Sequence, residues 1–389
     1  MSAEASSRPD RAIIVGGGVM GLSIAWRLAA RGIDVTLFEA GRCGTGASHA
    51  AAGMLAACAE VEPGEEPLVP LNRASQALWP DFARELEAAS GLAVDLRTEG
   101  TLVCAFSADD QARLKHHLAL QQRLGLPVSW LEAAEVRRRE PFLSPGLVGG
   151  LWSPEDHQVD NRKLAAALYV AAGRAGATIH EDSPVESIVV EGGRARGVVV
   201  RGQRTDADVV VLAAGAWSRR IGGLPRAALP PVRPVKGQLV AVQMDPAAPL
   251  LSHVTWVPGA YLVPRRDGRL IIGATVEEKG FDTRMTAGGV LALLDAAWRA
   301  LPAIEELPIV ETWAGLRPGS RDDAPILGPG EIDGLVYATG HHRNGILLTP
   351  ITSAVIADQI LTGQLAEVAR PFTFTRFASS ADATREVAS

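Results

Sequence analysis

The sequence predicts an α/β protein, α+β in overall make-up: a discontinuous Rossmann-like nucleotide-binding domain joined to a second, mainly antiparallel-sheet domain. Three observations carry this expectation. Residues 11 to 39 read as strand, helix and strand around a glycine-rich turn. Two distant apolar runs, within 206–218 and 333–348, end in the small triplets Ala-Ala-Gly and Ala-Thr-Gly, which suggests a nucleotide domain reassembled from separate pieces of chain. The stretches between them carry strands joined by Asp-Gly and Gly-Gly turns, the chemistry of antiparallel hairpins.

The first unit is "RAIIVGGGVMGLSIAWRLAARGIDVTLFE". Residues 12 to 15 form an apolar run suited to a buried strand. Leu22, Ala25, Trp26 and Ala29 then recur at helical spacing. Gly32 stands where a helix C-cap glycine is expected, and residues 35 to 38 form a second β-rich run. Gly16, Gly18 and Gly21 occupy the intervening turn as G-x-G-x-x-G. They permit the tight turn, the close approach of a pyrophosphate and close helix–strand packing, with the helix N-terminus facing the phosphates. Glu39 closes the second run, about 20 residues from the glycines, where an acid holds ribose hydroxyls and repels a 2′-phosphate. The unit itself does not separate NAD from FAD.

Further elements follow from local signals. Arg266-Asp267-Gly268-Arg269 joins "YLVP" to "LIIGATV" as a hairpin, and a second hairpin is expected around Gly192-Gly193. Amphipathic helices are expected over 73 to 90, 161 to 175 and 288 to 300. In "GHHRNGILLTPITSAVIADQIL" a helix begins either with Asn344 as its cap or at Thr349-Pro350. That segment sets Arg343, His341 and His342 beside the positive end of a helix dipole, which calls for something anionic between them.

The balance of the chain narrows its role. Its length predicts two or three domains, and 47% hydrophobic with 21% charged residues is an ordinary globular balance. A net charge of −6 gives no basic footprint for nucleic acid. No apolar run reaches the roughly 20 residues that span a bilayer. The opening "MSAEASSRPD" lacks the apolar centre of a signal peptide and reads as a loose tail. Cys43, Cys58 and Cys104 are odd in number and form no CxxC, which predicts a cytoplasmic location and no disulfide framework or zinc site. His341 and His342 are adjacent, point different ways and make a poor metal pair, so no metal is expected. His116 and His117 read as solvated residues of a polar helix.

Residues 40 to 60, "AGRCGTGASHAAAGMLAACAE", form an almost side-chain-free ribbon. Such a segment can lie against a large flat ligand, offering backbone where bulk would clash. A nicotinamide domain does not usually need one.

These stretches together carry a resemblance. The glycine turn with Glu39, "AAAGML", "YLVPRRDGRLIIGATV", "WAGLRPGSRDDAPILG" and "GHHRNGILLTP" resemble the glycine oxidase (ThiO) group of the D-amino-acid oxidase family of FAD-dependent amine oxidases, over residues 11 to 365. The resemblance implies non-covalent FAD and oxidative deamination of glycine, sarcosine and small D-amino acids. The products it implies are the imine or glyoxylate, ammonia and hydrogen peroxide, and the pathway it implies is thiamine thiazole synthesis. It implies a cytoplasmic homotetramer acting on a small amine and dioxygen. It also implies an FAD-binding domain of residues 1–85, 155–228 and 310–368 and a substrate domain of 86–154 and 229–309; residues 369–389 read as a polar C-terminal tail to which no role is assigned.

The residues implied to hold the cofactor come in four groups. Gly16, Gly17, Gly18, Val19, Met20 and Gly21 form the turn, with Glu39 and Ala40 after the second strand. Ala47, Ser48, Ala52, Gly53 and Met54 belong to the ribbon. Val185 and Gly215 come from the middle of the chain. His341, His342, Arg343, Asn344, Gly345, Ile346 and Leu347 supply the last group, largely through the main chain.

Oxidation of an amino acid at Cα requires an anchored carboxylate and a neutral amine. Arg317, displayed near a strand end before Pro318-Gly319, suits the first requirement, since a guanidinium meets a carboxylate with two parallel hydrogen bonds. The family's main substrate arginine falls on Arg317, its second on Arg343, and its carboxylate-binding tyrosine on Tyr261. No residue is assigned as acid or base. Several alternatives remain. A sarcosine oxidase-like enzyme would need a late cysteine for its flavin, yet all three cysteines lie within the first 104 residues. A histidyl link would need a "HAAG" motif, from which His49 stands one residue out of step. A D-amino-acid dehydrogenase with another electron acceptor, an NAD-dependent dehydrogenase and a non-catalytic nucleotide module complete the set.

Overall fold

The computed structural model describes residues 8–377; of the opening stretch read as a loose tail, 1–10, residues 1–7 lie outside the described residues, as do residues 378–389, while Asp10 N–H donates to Asp208 at 3.0 Å. A six-stranded sheet organises the nucleotide end. Its order is Ile326–Pro329, Leu335–Thr339, Val209–Leu212, Arg11–Val15, Asp34–Phe38 and Thr178–His180, and all but the first edge strand run parallel. The central strands are apolar on both faces because both are covered. Helices Val19–Ala29, Val69–Ser90, Asn161–Arg174 and Thr349–Thr362 pack together on one side. On the other side Ile13, Val15, Val210 and Leu212 share a core with Ile188 and Val198 of an antiparallel meander, Val185–Glu191, Arg194–Val200 and Gln203–Asp206. The strands expected within 206–218 and 333–348 therefore rejoin the first βαβ unit, with Val209–Leu212 pairing directly to Arg11–Val15.

The second sheet has eight strands. Its order is Ile309–Gly319, Arg233–Gln243, Arg269–Gly273, Ala260–Pro264, Val254–Val257, Thr101–Ala105, Gly149–Ser153 and Ser129–Glu132. Every neighbouring pair is antiparallel except Val254–Val257 with Thr101–Ala105. Residues alternate between its faces, as the period of a strand requires. Val240, Val242, Leu262 and Ile272 pack under helix Ala287–Ala300, while Leu239, Ala241, Tyr261 and Val263 turn toward Ala52 and Met54 of the ribbon. The expected hairpins are present at Asp267-Gly268 and at Gly192-Gly193, where both glycines have positive φ. Helix bounds follow the sequence pattern closely: Val69–Ser90, Asn161–Arg174 and Ala287–Ala300.

Two expectations need correction. Strand Ile309–Gly319 pairs along Arg233–Gln243, so these residues, grouped above with the nucleotide part, belong to the antiparallel sheet. The physical reason is that the pairing gives the backbone N–H and C=O groups of Arg233–Gln243 partners along an otherwise open edge. The tail is not free of contacts either. Phe374 stacks on Tyr337 with ring centroids 4.8 Å apart, and Arg376 pairs with Asp322 at 2.8 Å. Among the described residues no helix is long and apolar enough to cross a membrane.

The stacking yields a prediction. Phe374 is 4% exposed, so Phe374→Ala is expected to cost about 3–5 kcal/mol, the usual range for a buried phenylalanine. Denaturant unfolding measures it; a loss below about 0.5 kcal/mol would mean the segment contributes nothing to the sheet.

Candidate active site

The glycines of the first turn have separate tasks. Gly16 has φ +109°, and a Cβ there would stand 2.5 Å from Ala213 O. At Gly21 a Cβ would collide with Gly16 O, so the helix can approach the strand only without one. Gly18 differs: a Cβ would meet only Ser48 Oγ, at 3.2 Å, and the residue faces a cavity. Helix Val19–Ala29 starts immediately behind it with no acid in its first turn, which leaves the positive dipole end toward that space. Gly17 sits at the back, where its N–H donates to Glu39 Oε2 at 2.7 Å; Glu39 Oε1 accepts from Gly41 N–H at 3.0 Å. Glu39 is thus oriented at the cavity wall, while Gly17 and Gly21 shape the turn without lining it.

The cavity is about 1290 Å³ and continuous from this turn to the antiparallel sheet. That exceeds the common range for small-ligand sites, roughly 300–1,000 Å³, and suits an extended dinucleotide with a substrate beside it. Val19, Met20, Ala40, Ala47, Ser48, Ala52, Gly53, Met54, Val185 and Gly215 all line it. The ribbon stays in place because its carbonyls have dedicated donors. Arg265 donates to Ala52 O at 2.7 Å, Asn161 Nδ2 to Ser48 O at 2.8 Å and Trp313 Nε1 to Ala50 O at 3.1 Å.

The segment 341–347 closes another wall. Its helix is Thr349–Thr362, with proline in the first turn, so of the two starts considered the later one holds. Residues His342–Asn344 instead form a 3₁₀ turn. Ser75 and Trp79 both donate to Leu347 O, at 2.6 and 2.9 Å, and fix the loop from behind. Ile346 and Leu347 are 5% and 2% exposed, yet their backbone N–H groups donate to no acceptor among the described residues. Buried amides are almost always paired. Orphaned donors on a cavity wall fit the polar edge of a flat heterocycle. Burial pushes His341 down to about 3 and His342 down to about 4, so both are neutral near pH 7. His341 Nε2 lies 3.1 Å from Thr352 Oγ1, a structural tie.

At the sheet end Arg317 lies flat over Gly237, where a Cβ would stand 2.5 Å from its Nη1. Nη1 donates to Thr275 O at 3.1 Å and to Lys236 O at 3.4 Å. Among the described residues the guanidinium has no ion-pair partner, although it is only partly exposed and lines the cavity. Tyr261 is beside it, its hydroxyl packed against Gly273. Burial raises the phenol above its ordinary range, and the nearby arginine partly offsets this. A guanidinium without an ion-pair partner and an adjacent phenol form an arrangement that could take a carboxylate.

Arg343 requires a correction. It lines the cavity, but its guanidinium is already engaged: Nε stands 3.4 Å from Glu60 Oε2, and Nη2 pairs with Glu65. The anionic counterweight sought for this arginine is therefore supplied largely by the protein, from residues far away in the chain. Sequence reading also passed over Glu60, Trp256, Arg113 and His117, which all line the cavity. His117 is not a freely solvated residue, since it lies 3.6 Å from Glu62. Glu60 left one legible sign, as the first acid after Glu39 at the end of a ribbon otherwise made of small and apolar residues, save Arg42 and His49.

Residues with orphaned amides, a phosphate-ready turn and an oriented Glu39 fit FAD. Gly18→Val is expected to leave the fold intact, because no backbone opposes it, and to yield colourless protein. Flavin absorbance per chain is the measurement, and full flavination would reject the turn as the phosphate site.

The comparisons agree with this geometry. The family described as FAD dependent oxidoreductase (DAO) matches residues 11–359. A glycine oxidase of Geobacillus kaustophilus (strain HTA426) is 40% identical over 368 residues, spanning 93% of this chain and 96% of the relative. The crystal structure of glycine oxidase from Geobacillus kaustophilus superposes with a TM-score of 0.88, covering 95% of this chain and 99% of that one. A bifunctional ThiO/ThiG protein of Trichormus variabilis (strain ATCC 29413 / PCC 7937) is 38% identical over 96% of this chain, which spans 56% of that longer protein. Matched in sequence from its glycine turn through the ribbon and the antiparallel sheet, the chain belongs to the DAO family of FAD-dependent oxidoreductases.

Proposed function

We propose that this protein oxidatively deaminates a small amino acid, glycine foremost, with non-covalently held FAD, dioxygen as final acceptor, and imine or glyoxylate, ammonia and hydrogen peroxide as products. The observation that carries the reading is Arg317, a cation without a carboxylate partner beside Tyr261, in the same cavity as the glycine turn. The 40% identity to a glycine oxidase supports glycine as the substrate. The fusion of related ThiO and ThiG units in one polypeptide supports a role in thiamine thiazole synthesis.

Bound FAD supplies two-electron acceptance from the substrate Cα–H bond. The protein supplies position and charge. The turn at Gly16 to Gly21 and the dipole of helix Val19–Ala29 would hold the pyrophosphate, and Glu39 the ribose. The amides of Ile346 and Leu347 would hold the ring edge. Arg317 would bind one end of the amino acid with two parallel hydrogen bonds and Tyr261 would add a third, fixing which Cα–H bond faces the ring. All three cysteines lie within the first 104 residues, so the late cysteine that tethers a flavin is missing, and His49 is one residue out of step with a tethering motif, which supports non-covalent binding.

Anaerobic addition of glycine to the purified yellow protein is expected to bleach the flavin, and air to restore it with peroxide release. A flavin that glycine fails to reduce would defeat the reading; reduction without peroxide on re-aeration would assign another electron acceptor. Arg317→Ala should raise KM with flavin retained. The lost charge-assisted contact, about 1.5–3 kcal/mol, corresponds to roughly ten- to hundredfold in kcat/KM, and unchanged kinetics would remove Arg317 from the site.

A further inference from the structure

We propose that Glu60 is the group that receives the substrate ammonium and accepts its proton before Cα–H cleavage. The proposal rests on the amino-acid oxidase reading above and assigns a base where the sequence offered none.

The geometry is that of a carboxylate kept waiting. The Glu60 side chain is 12% exposed and lines the cavity that holds Arg317 and Tyr261. Among the described residues its carboxylate accepts no hydrogen bond; its nearest cation is Arg343 Nε, at 3.4 Å. A carboxylate so enclosed ordinarily takes several donors. The loop behind it is not loose. Asp156 accepts from Cys58 N–H at 3.0 Å and from Ala59 N–H at 2.6 Å, and Gln76 donates to Asp156 at 2.9 Å, so the chain is fixed up to the residue before Glu60. Arg343, the one close cation, is shared with Glu65, which leaves Glu60 only part of its charge.

An amino-acid zwitterion fits this pair of ends. Arg317 takes the carboxylate, and Glu60 lines the same cavity, close enough to feel the charge of Arg317 and to act on Tyr261. In the step proposed, an N–H bond of the ammonium breaks and an O–H bond forms on Glu60, while the electron pair stays on nitrogen. The neutral amine can then donate that pair as the Cα–H bond is oxidised by the flavin.

The charges around Glu60 come from several elements. Arg343 and Arg317 favour its ionised form, Asp156 and Glu65 oppose it, and the same cavity is lined by Glu62 and by Arg113 and His117 of helix Ala108–Arg123, with His117 3.6 Å from Glu62. Desolvation dominates and raises the carboxyl from 4.5 to about 7. A carboxyl so placed is ionised, and able to take a proton, only as pH rises through about 7; below that it is already protonated. A general base is most effective when its affinity for protons matches the working pH.

The test uses the flavin-loaded protein and two readouts. In wild type, kcat/KM for glycine should fall on the acid side with a midpoint near pH 7. Acetate, which has the carboxylate but no amine, should perturb the flavin spectrum with tighter binding below that midpoint, where Glu60 is uncharged. Glu60→Gln should lose roughly a hundredfold in kcat/KM at pH 8, abolish the acid limb and make acetate binding independent of pH across it. Glu65→Gln should keep the acid limb. The proposal is overturned if the limb and the acetate dependence persist in Glu60→Gln. It is also overturned if acetate binds wild type with no pH dependence between 5 and 9, a result that needs no variant. Failure of glycine to reduce the wild-type flavin would strike the functional reading instead, and the acetate titration would still decide for or against Glu60.

Discussion

A buried guanidinium ties the small-residue ribbon of residues 40 to 60 to the eight-stranded sheet. Arg265, 7% exposed, follows strand Ala260–Pro264 and donates to Ala52 O, Val159 O, Asn161 Oδ1 and Gln158 Oε1 at 2.7 to 3.2 Å. Burial lowers its pKa to about 10, so the charge survives at neutral pH. Such a charge is costly to desolvate and is tolerated because carbonyl and amide oxygens surround it and Asp160 lies nearby. The same contacts join the eight-stranded sheet to the ribbon and to the start of helix Asn161–Arg174.

Around that junction the small residues acquire their purpose. Gly315 approaches Ala50 so closely that a Cβ would collide with the Ala50 side chain. Trp313 bonds the carbonyl of Ala50 from the same strand, and Arg162 stacks on Trp313 while forming a two-pronged pair with Glu311 at 2.7 and 2.8 Å. Large side chains thus brace the ribbon from outside and leave its inner surface bare. Rigid support of this kind is what a reacting geometry needs, since small displacements at a hydride donor cost much of the rate.

The charges in the cavity are distributed by solvation as much as by pairing. The two histidines of the 341–347 segment are neutral because burial removes the charged form. Arg343 keeps its charge against Glu60 and Glu65, whereas Arg317 faces the cavity without a carboxylate. The positive end of helix Thr349–Thr362 therefore does not carry the burden of a nearby bare cation.

Local chemistry was legible in the chain alone. The βαβ unit, the hairpins at Gly192-Gly193 and Asp267-Gly268, the helix bounds and the family could be read because glycine placement and hydrophobic period are properties of neighbouring residues. Arg317, Tyr261 and the ribbon were reachable through the resemblance. Arg265 was not, since it stands just before the turn read at Arg266 to Arg269 with no signal of its own, and its partners lie more than 100 residues away. The engagement of Arg343 and the exposure of the Glu60 carboxylate to the cavity depend on which acids the folded loops bring near, and strand Ile309–Gly319 found its sheet through an edge that only packing created. Burial and long-range pairing are set by the assembled sheets, and no window of sequence contains them.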